Sequence, residues 1–381
     1  MKKVDFLDLS DIFQNMKKII LIIVLVILLV VVWGFAKQSD KEISKEPVKF
    51  GAILILSGVG ADYGDFSRKG MELAVQDINE AGGVLGRTLT IDYQDEIGPN
   101  PKGAVSAFNY LKSQGINFII GTNWTPSGSA IAPLVDETTI LISPSLGARS
   151  FAEAHENIFN MWPPDELNTK ALANFVFDQG YKKVAVIGSQ QEWDAEQATI
   201  FKDLFTSLGG KVVVFETPLT DNTDLRNEAL RIKNSNAEAI VMTNHNNMAI
   251  LTKRLSDISY KKPQFSVNLW VPNIDASEGT FEGLIFSTPF NPKKEFVDRY
   301  IETYSVQPNV PADAAYDTVR LLAEAINNAG TLDISEVQKE LAAMKTWDGV
   351  SGVSTFDDKG SVTRPVSFFT IKNSKIEAVQ N

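Results

Sequence analysis

Cysteine is absent from this sequence, and histidine is nearly so, with His155 and His245 alone. Without cysteine there can be no disulfide, no thiolate metal site, no cysteine nucleophile and no lipid attached through an N-terminal cysteine. Two histidines far apart in the chain argue against a histidine-rich metal centre and against a His-dependent catalytic triad. Basic charge is scarce too: 36 Lys and Arg stand against 47 Asp and Glu, a net charge of −11. A general nucleic-acid binder needs a basic face, so that class is set aside. No phosphate-binding loop with Gly-Lys-Ser/Thr occurs. Neither a metal nor a cofactor is expected.

What remains is the composition of a globular protein. Of its 381 residues 44% are hydrophobic and 22% charged, enough for two domains of ordinary size. Residues 1–18 read as a short polar leader. Lys17 and Lys18 then precede an uncharged run rich in Ile, Leu and Val over 19–36. As a helix that run spans roughly 27 Å, close to the hydrocarbon thickness of a bilayer. The lysines before it favour an inside N-terminus and an exported remainder. Two readings compete: a retained transmembrane anchor, or a signal peptide cleaved after the small-x-small triplet Gly34-Phe35-Ala36. The length of the run favours the anchor. Residues 37–47, charged and without apolar periodicity, read as a tether.

From residue 48 strand-like and helix-like segments alternate. Strands are expected at 48–56, 88–94, 118–121, 139–142, 157–162, 183–187, 211–216, 239–242, 263–268 and 284–286. Helices are expected at 66–81, 101–114, 129–137, 168–179, 195–208, 225–234, 248–258, 294–304, 312–328 and 335–344. The tail, 353–356 and 366–371, reads as two antiparallel strands. This rhythm predicts an α/β protein of two similar lobes, each a parallel β-sheet sandwiched by helices, preceded by one N-terminal transmembrane helix.

The loop after the strand at 118–121 draws attention first. Thr122-Asn123-Trp124-Thr125-Pro126-Ser127-Gly128-Ser129 places hydroxyls and an indole at the carboxyl end of a strand, where open α/β sheets bind ligands. The helix expected from Ser129 offers an anion-holding terminus. Gly58-Val59-Gly60-Ala61-Asp62-Tyr63-Gly64 resembles a dinucleotide fingerprint with its third glycine one place late, and Asp92 or Asp95 could serve a ribose; Asp62 would repel a pyrophosphate. Asp357-Asp358 before Lys359-Gly360 reads as a solvated turn. Four tryptophans, Trp124, Trp162, Trp193 and Trp270, and Tyr63 each follow a strand, drawn from both lobes. Together they read as an aromatic-lined cleft.

Several of these stretches resemble the branched-chain amino-acid binding proteins, the type I periplasmic substrate-binding proteins that serve ABC transporters. The residues that carry the likeness are Phe50-Gly51-Ala52 through Leu56-Ser57-Gly58, Tyr63-Gly64, Gly70-x-Glu72-Leu73-Ala74 and the run from Asp77-Ile78-Asn79 to Gly86. Ile142-Ser143-Pro144-Ser145, Phe286-Ser287-Thr288-Pro289 and Phe356-Asp357-Asp358-Lys359-Gly360 extend it. The resemblance implies a hinged clamp without catalytic activity. Its lobes would be 48–163 plus 290–350 and 164–289 plus 351–381, with crossings near Pro163, Pro289 and Ser351. It implies that the loop Thr125–Ser129, with Thr125 and Ser127, and the segment Ser145, Leu146 and Gly147 hold a ligand carboxylate through hydroxyls and backbone N–H, and that Tyr63 packs on the ligand. It also implies that Trp193 is a second-lobe aromatic, and that His245 and Leu269-Trp270 lie where the family has a polar or acidic ammonium partner; Trp124 either faces the ligand or covers the loop. The partners implied are a small ligand (an amino acid or related carboxylate or amide), the permease subunits of an ABC transporter, and the membrane through the N-terminal helix. The globular part would be extracytoplasmic, periplasmic or extracellular. The sequence departs from the pattern at two places. Gly147 stands where a hydroxyl residue is common, and around Asn268-Leu269-Trp270-Val271 there is no carboxylate to pair a ligand ammonium; Asp165, Glu192 or Asp194 could substitute. A ligand-sensing ectodomain acting through a membrane signalling partner is the alternative function.

Overall fold

The structure, a computed structural model, describes residues 46–379 together with Ile23 and Val24. Among the described residues no helix is long and apolar enough to cross a membrane. The anchor expected at 19–36 lies, but for those two residues, outside them.

The expected alternation holds. Five parallel strands form a first sheet in the order β2-β1-β3-β4-β5: β1 Val48–Leu54, β2 Leu89–Asp95, β3 Phe118–Gly121, β4 Ile140–Ser143 and β5 Ile158–Asn160. β1, β3, β4 and β5 are continuous apolar runs buried along nearly their whole length, as parallel strands covered on both faces require. The second sheet contains β6 Lys183–Ile187, β7 Lys211–Glu216, β8 Ala239–Met242, β9 Gln264–Val267 and β10 Ile285–Thr288, parallel in the order β10-β9-β8-β6-β7. Each sheet has apolar clusters on both faces. Phe50, Met71 and Leu322 belong to one side of the first and Ile119, Leu141 and Phe151 to the other. Met242, Leu251 and Phe286 belong to one side of the second and Val186, Phe201 and Phe265 to the other.

The tail differs from expectation. The strand foreseen at 353–356 joins a separate antiparallel sheet of β11 Thr346–Gly349, β12 Gly352–Phe356 and β13 Val362–Thr363. Trp347, Phe356 and Val362 bury into the core of the first sheet. The strand foreseen at 366–371 is β14 Ser367–Lys372, which pairs antiparallel with β10 and with β15 Lys375–Ala378 at the edge of the second sheet. Two neighbouring strands thus serve different sheets, because each buries its apolar face on a different core. The turn between β12 and β13 forms as expected, with Asp357 accepting the Lys359 and Ser361 amides.

Several helices start earlier than apolar periodicity indicates. The first runs Ala61–Glu80 rather than from 66, and the third runs Thr125–Ile131 rather than from 129. Pro126 sits in the first turn of the latter, where its missing N–H costs nothing. Early starts bring polar loop residues into first turns at the sheets' carboxyl edges.

The chain passes between the sheets after Met161, after Thr288 and after Thr363, and prolines (Pro163, Pro164, Pro289 and Pro365) fix φ at each passage. Buried polar groups brace the β11–β12 turn and, at Arg364, the third passage. Asp317 accepts the Val350 and Ser351 amides at 2.9 Å each and the Ser351 hydroxyl. Arg364, buried, donates to the Met161 carbonyl and lies 3.9 Å from Asp313.

Close backbone contact explains two of the sequence's fixed stretches. Asn79 holds Leu89 by a reciprocal pair, accepting its amide at 2.7 Å and donating to its carbonyl at 3.0 Å, which locks the first helix to β2. Gly70 lies where the helix Ala61–Glu80 meets the start of the helix Ala312–Ala329: a Cβ there would fall 2.1 Å from the Ala312 carbonyl oxygen. In a free helix Gly→Ala gains about 1 kcal/mol. Here Gly70→Ala should instead destabilise by about 1–3 kcal/mol, as overpacking does. A lower urea midpoint checks this; an unchanged or raised midpoint contradicts the packing.

Candidate functional site

Loops at the carboxyl ends of both parallel sheets converge on one cavity of about 160 Å³. An apolar cavity of about 150 Å³ admits benzene, so this one has room for a body of that scale. From the first lobe come the turn before the first helix, the segment after β3 and the segment after β4; from the second come the starts of the helices Asp165–Asp178 and Glu192–Ser207 and the segments after β8 and β9.

Of the ten residues expected at a site, eight line this cavity: Tyr63, Trp124, Thr125, Ser145, Gly147, Trp193, His245 and Trp270. The other two do not. Leu146 turns its side chain into the apolar cluster with Ile131 and Phe151, and its carbonyl accepts from Asn160. Ser127 is fully buried. Its hydroxyl lies by the Glu96 carboxyl, which burial pushes up to about 7 against the pull of that hydroxyl. Alternate residues of a short helix face opposite ways, so Thr125 and Ser127 cannot both look into the cavity. The helix expected to present an anion-holding terminus from Ser129 is seven residues long and begins at Thr125. Of the aromatics expected in a cleft, Tyr63, Trp124, Trp193 and Trp270 line it, while Trp162 lies behind, packed with Val310 and Ala314.

Asp165, Glu192 and Asp194, named from the sequence as alternative carboxylates, all face the cavity. Asp165 is 7% exposed. It accepts the Trp193 indole N–H at 2.6 Å and the Trp162 indole N–H at 3.1 Å. Burial lifts its pKa to about 6; the two indoles pull the other way, Glu196 adds to the rise and His245 opposes it. The glycine at 147 is explained by the same carboxylate: a Cβ there would sit 1.7 Å from Asp165 Oδ2. The Asp165 amide donates to the Gly147 carbonyl at 3.1 Å, fixing the approach. Asp194 accepts from Ser189 at 2.6 Å and lies 3.3 Å from His245 Nδ1, whose ring is 4.5 Å from that of Trp193.

Asp62, Asn123, Glu196 and Asn268 also line the cavity and were not singled out as site residues from the sequence. Asp62, Asn123 and Asn268 lay inside stretches that the sequence did single out; nothing in the pattern marked Glu196. Asn123 donates to Ser67 Oγ at 2.8 Å and Ser145 Oγ at 3.2 Å, leaving its Oδ1 buried without a partner. Asp62 accepts the Trp270 indole N–H at 2.7 Å, a bond from the first helix across to the loop after β9. Of the two aspartates named for a ribose, Asp95 is taken by the Leu56, Ser57 and Ile97 amides and the Ser57 hydroxyl, and Asp92 accepts from Gln94.

Two expected outcomes follow from this geometry. Trp270→Phe keeps the ring and removes the bond across the cavity; a hydrogen bond to a charged group is worth about 1.5–3 kcal/mol, so the closed form should lose roughly ten- to a hundredfold in population. Small-angle scattering would report this as a larger radius of gyration, and an unchanged radius contradicts it. Glu96, Asp165 and Asp313, lifted to about 7, about 6 and about 6, bind protons more tightly folded than unfolded. Their stabilisation is full below about pH 4 and is lost as pH rises through 6 to 7. The urea midpoint of the unliganded protein should therefore fall between about pH 5 and pH 7; a rise contradicts these shifts.

The comparisons with known proteins agree with this architecture. A family model described as periplasmic binding protein matches residues 47–375. The Leu/Ile/Val-binding protein homolog 3 of Brucella melitensis is 26% identical over 351 residues, 87% of this chain and 92% of that protein. The leucine-, isoleucine-, valine-, threonine- and alanine-binding protein of Pseudomonas aeruginosa is 27% identical over 341 residues, 86% and 90% of the two chains. Among solved structures, the branched-chain amino acid transporter substrate binding protein of Streptococcus pneumoniae, in complex with isoleucine, superposes with a TM-score of 0.81 at 24% identity, covering 87% of this chain and 98% of that one. A solute binding protein from R. palustris in complex with 4-hydroxybenzoate gives 0.78 at 22% identity over 88% and 96%. These two structural likenesses speak for the fold alone. The family model spans most of the chain, and the chain belongs to the periplasmic binding protein family.

Proposed function

We propose that this protein is an extracytoplasmic solute-binding protein that closes two lobes around a small ligand and delivers it to the permease of an ABC transporter, without catalysis. The observation that carries the reading is the cavity at the carboxyl edges of two parallel sheets, spanned by the bond between Asp62 and Trp270. Lobe closure of this kind is hinge motion about a few connecting residues. The lobes we propose are 48–163 plus 290–363 and 164–289 plus 364–379; the small sheet's burial on the first core supports a third crossing near Arg364 rather than near Ser351. The eight cavity-lining residues expected from the sequence are the proposed ligand contacts, joined by Asp62, Asn123 and Asp165. The relatives named as amino-acid binders support a ligand that is an amino acid or shares part of one, and favour transport over sensing. A run of apolar residues at 19–36 behind Lys17-Lys18 supports a membrane tether.

A thermal-shift screen of amino acids, amines, carboxylates and amides tests the reading. Ligand at 100 times its dissociation constant stabilises by about 2.7 kcal/mol, so at least one class should raise the melting temperature by several degrees. Silence across all four classes contradicts a solute-binding role.

A further inference from the structure

The cavity is charged with one sign. Five carboxylates line it, those of Asp62, Asp165, Glu192, Asp194 and Glu196, and no Lys or Arg does. The one basic side chain, His245, is already turned to Asp194. Glu196 has its pKa raised by partial burial and by Glu192 and Glu166, a mark of charges held together against repulsion.

Two of the polar groups at the cavity offer unused acceptors. Asp165 spends two lone pairs on indole N–H groups, and a carboxylate can accept about four hydrogen bonds. Asn123 Oδ1 is buried with no partner, and its assignment as the oxygen is fixed. Ser67 donates its hydroxyl to the Tyr63 carbonyl, so Ser67 Oγ must accept from the Asn123 amide nitrogen. Both residues present acceptors. Two backbone donors are withdrawn, while the Tyr63, Thr125 and Ser145 hydroxyls remain in the lining. The Ser145 and Leu146 amides both turn away to Ser143 Oγ, at 3.2 and 3.1 Å. The space over Gly147, where a side-chain hydroxyl could have pointed, is filled by the Asp165 carboxylate.

An anionic group entering here would lose its water and meet acceptors and negative charge, which disfavours it. A cation meets the opposite. The walls add to its attraction, since Tyr63, Trp124, Trp193 and Trp270 line the cavity and aromatic rings attract cations. The cation is organic rather than metallic, because among the described residues no three acidic or histidine side chains converge as metal ligands would.

We propose that the ligand is a protonated amine that carries no carboxylate. Its ammonium donates to Asp165 and Asn123 Oδ1, and its apolar body lies against the indoles. The unpaired acceptors choose an N–H-bearing ammonium over a quaternary one, which has no proton to give. This inference rests on the solute-binding reading and narrows it to one ligand class.

Two matched sets of compounds test it by calorimetry on the full-length protein. One is 2-phenylethylamine, phenylalanine and 3-phenylpropionate; the other is 3-methylbutylamine, leucine and 4-methylpentanoate. Within each set the body is shared and only the polar groups change. In at least one set the amine should bind at least tenfold more tightly than its amino acid, and neither acid should give measurable heat. Asp165→Asn, shown to be folded by circular dichroism, should weaken the amine at least a hundredfold; should that variant not fold, the ranking in the unaltered protein decides. An amino acid binding as tightly as its amine in both sets, or either acid binding, overturns the inference and leaves the solute-binding reading standing. Undiminished amine binding by the folded variant also overturns it. No response from both sets and from a wider panel of diamines, amino acids and carboxylates overturns both readings.

Discussion

A buried carboxylate governs this site. Asp165 stands at the first turn of a second-lobe helix, almost without solvent, held by indole N–H groups from Trp162 and Trp193. Burial of a charge is tolerated only when it is hydrogen-bonded, and here two tryptophans do that work. Much of the neighbourhood is arranged around it. Gly147 has no side chain because the carboxylate occupies that volume, and Trp162 is drawn out of the aromatic lining to serve it from behind.

That arrangement links fold to dynamics. Asp165 follows Pro163 and Pro164 at the first passage between the sheets, so the group that faces the cavity is attached to the hinge itself. The second element of control lies across the cavity, where Trp270 reaches Asp62. One tryptophan bond fixes a charge within the second lobe; the other ties the two lobes.

The fold was legible in the sequence because its signals are strong and local. Parallel strands buried on both faces read as continuous apolar runs, as at 118–121 and 239–242, and their alternation with amphipathic segments leaves few topologies. The tail was harder. The strand at 353–356 alternates in burial and could pair with any edge; only packing of Phe356 and Val362 against the first core assigns it. Site aromatics were legible from their shared position after strands. Ser127 and Leu146 were misplaced because neighbours in a loop were taken to face one way, whereas the chain alternates between cavity and core. Glu196 gave no signal, since an exposed glutamate on a helix is ordinary. The role of Asp165 depends on a contact with Gly147, 18 positions away by number, which no local pattern encodes.

The central claim is that this cavity receives a donor, not an acceptor, at Asp165. A crystal structure of the protein with the tightest-binding compound found in solution tests it most directly. The account predicts a ligand nitrogen about 3 Å from an Asp165 carboxylate oxygen, with the body of the ligand between Trp124, Trp193 and Trp270. A ligand carboxylate in that place, or a ligand bound outside the cavity, would contradict it.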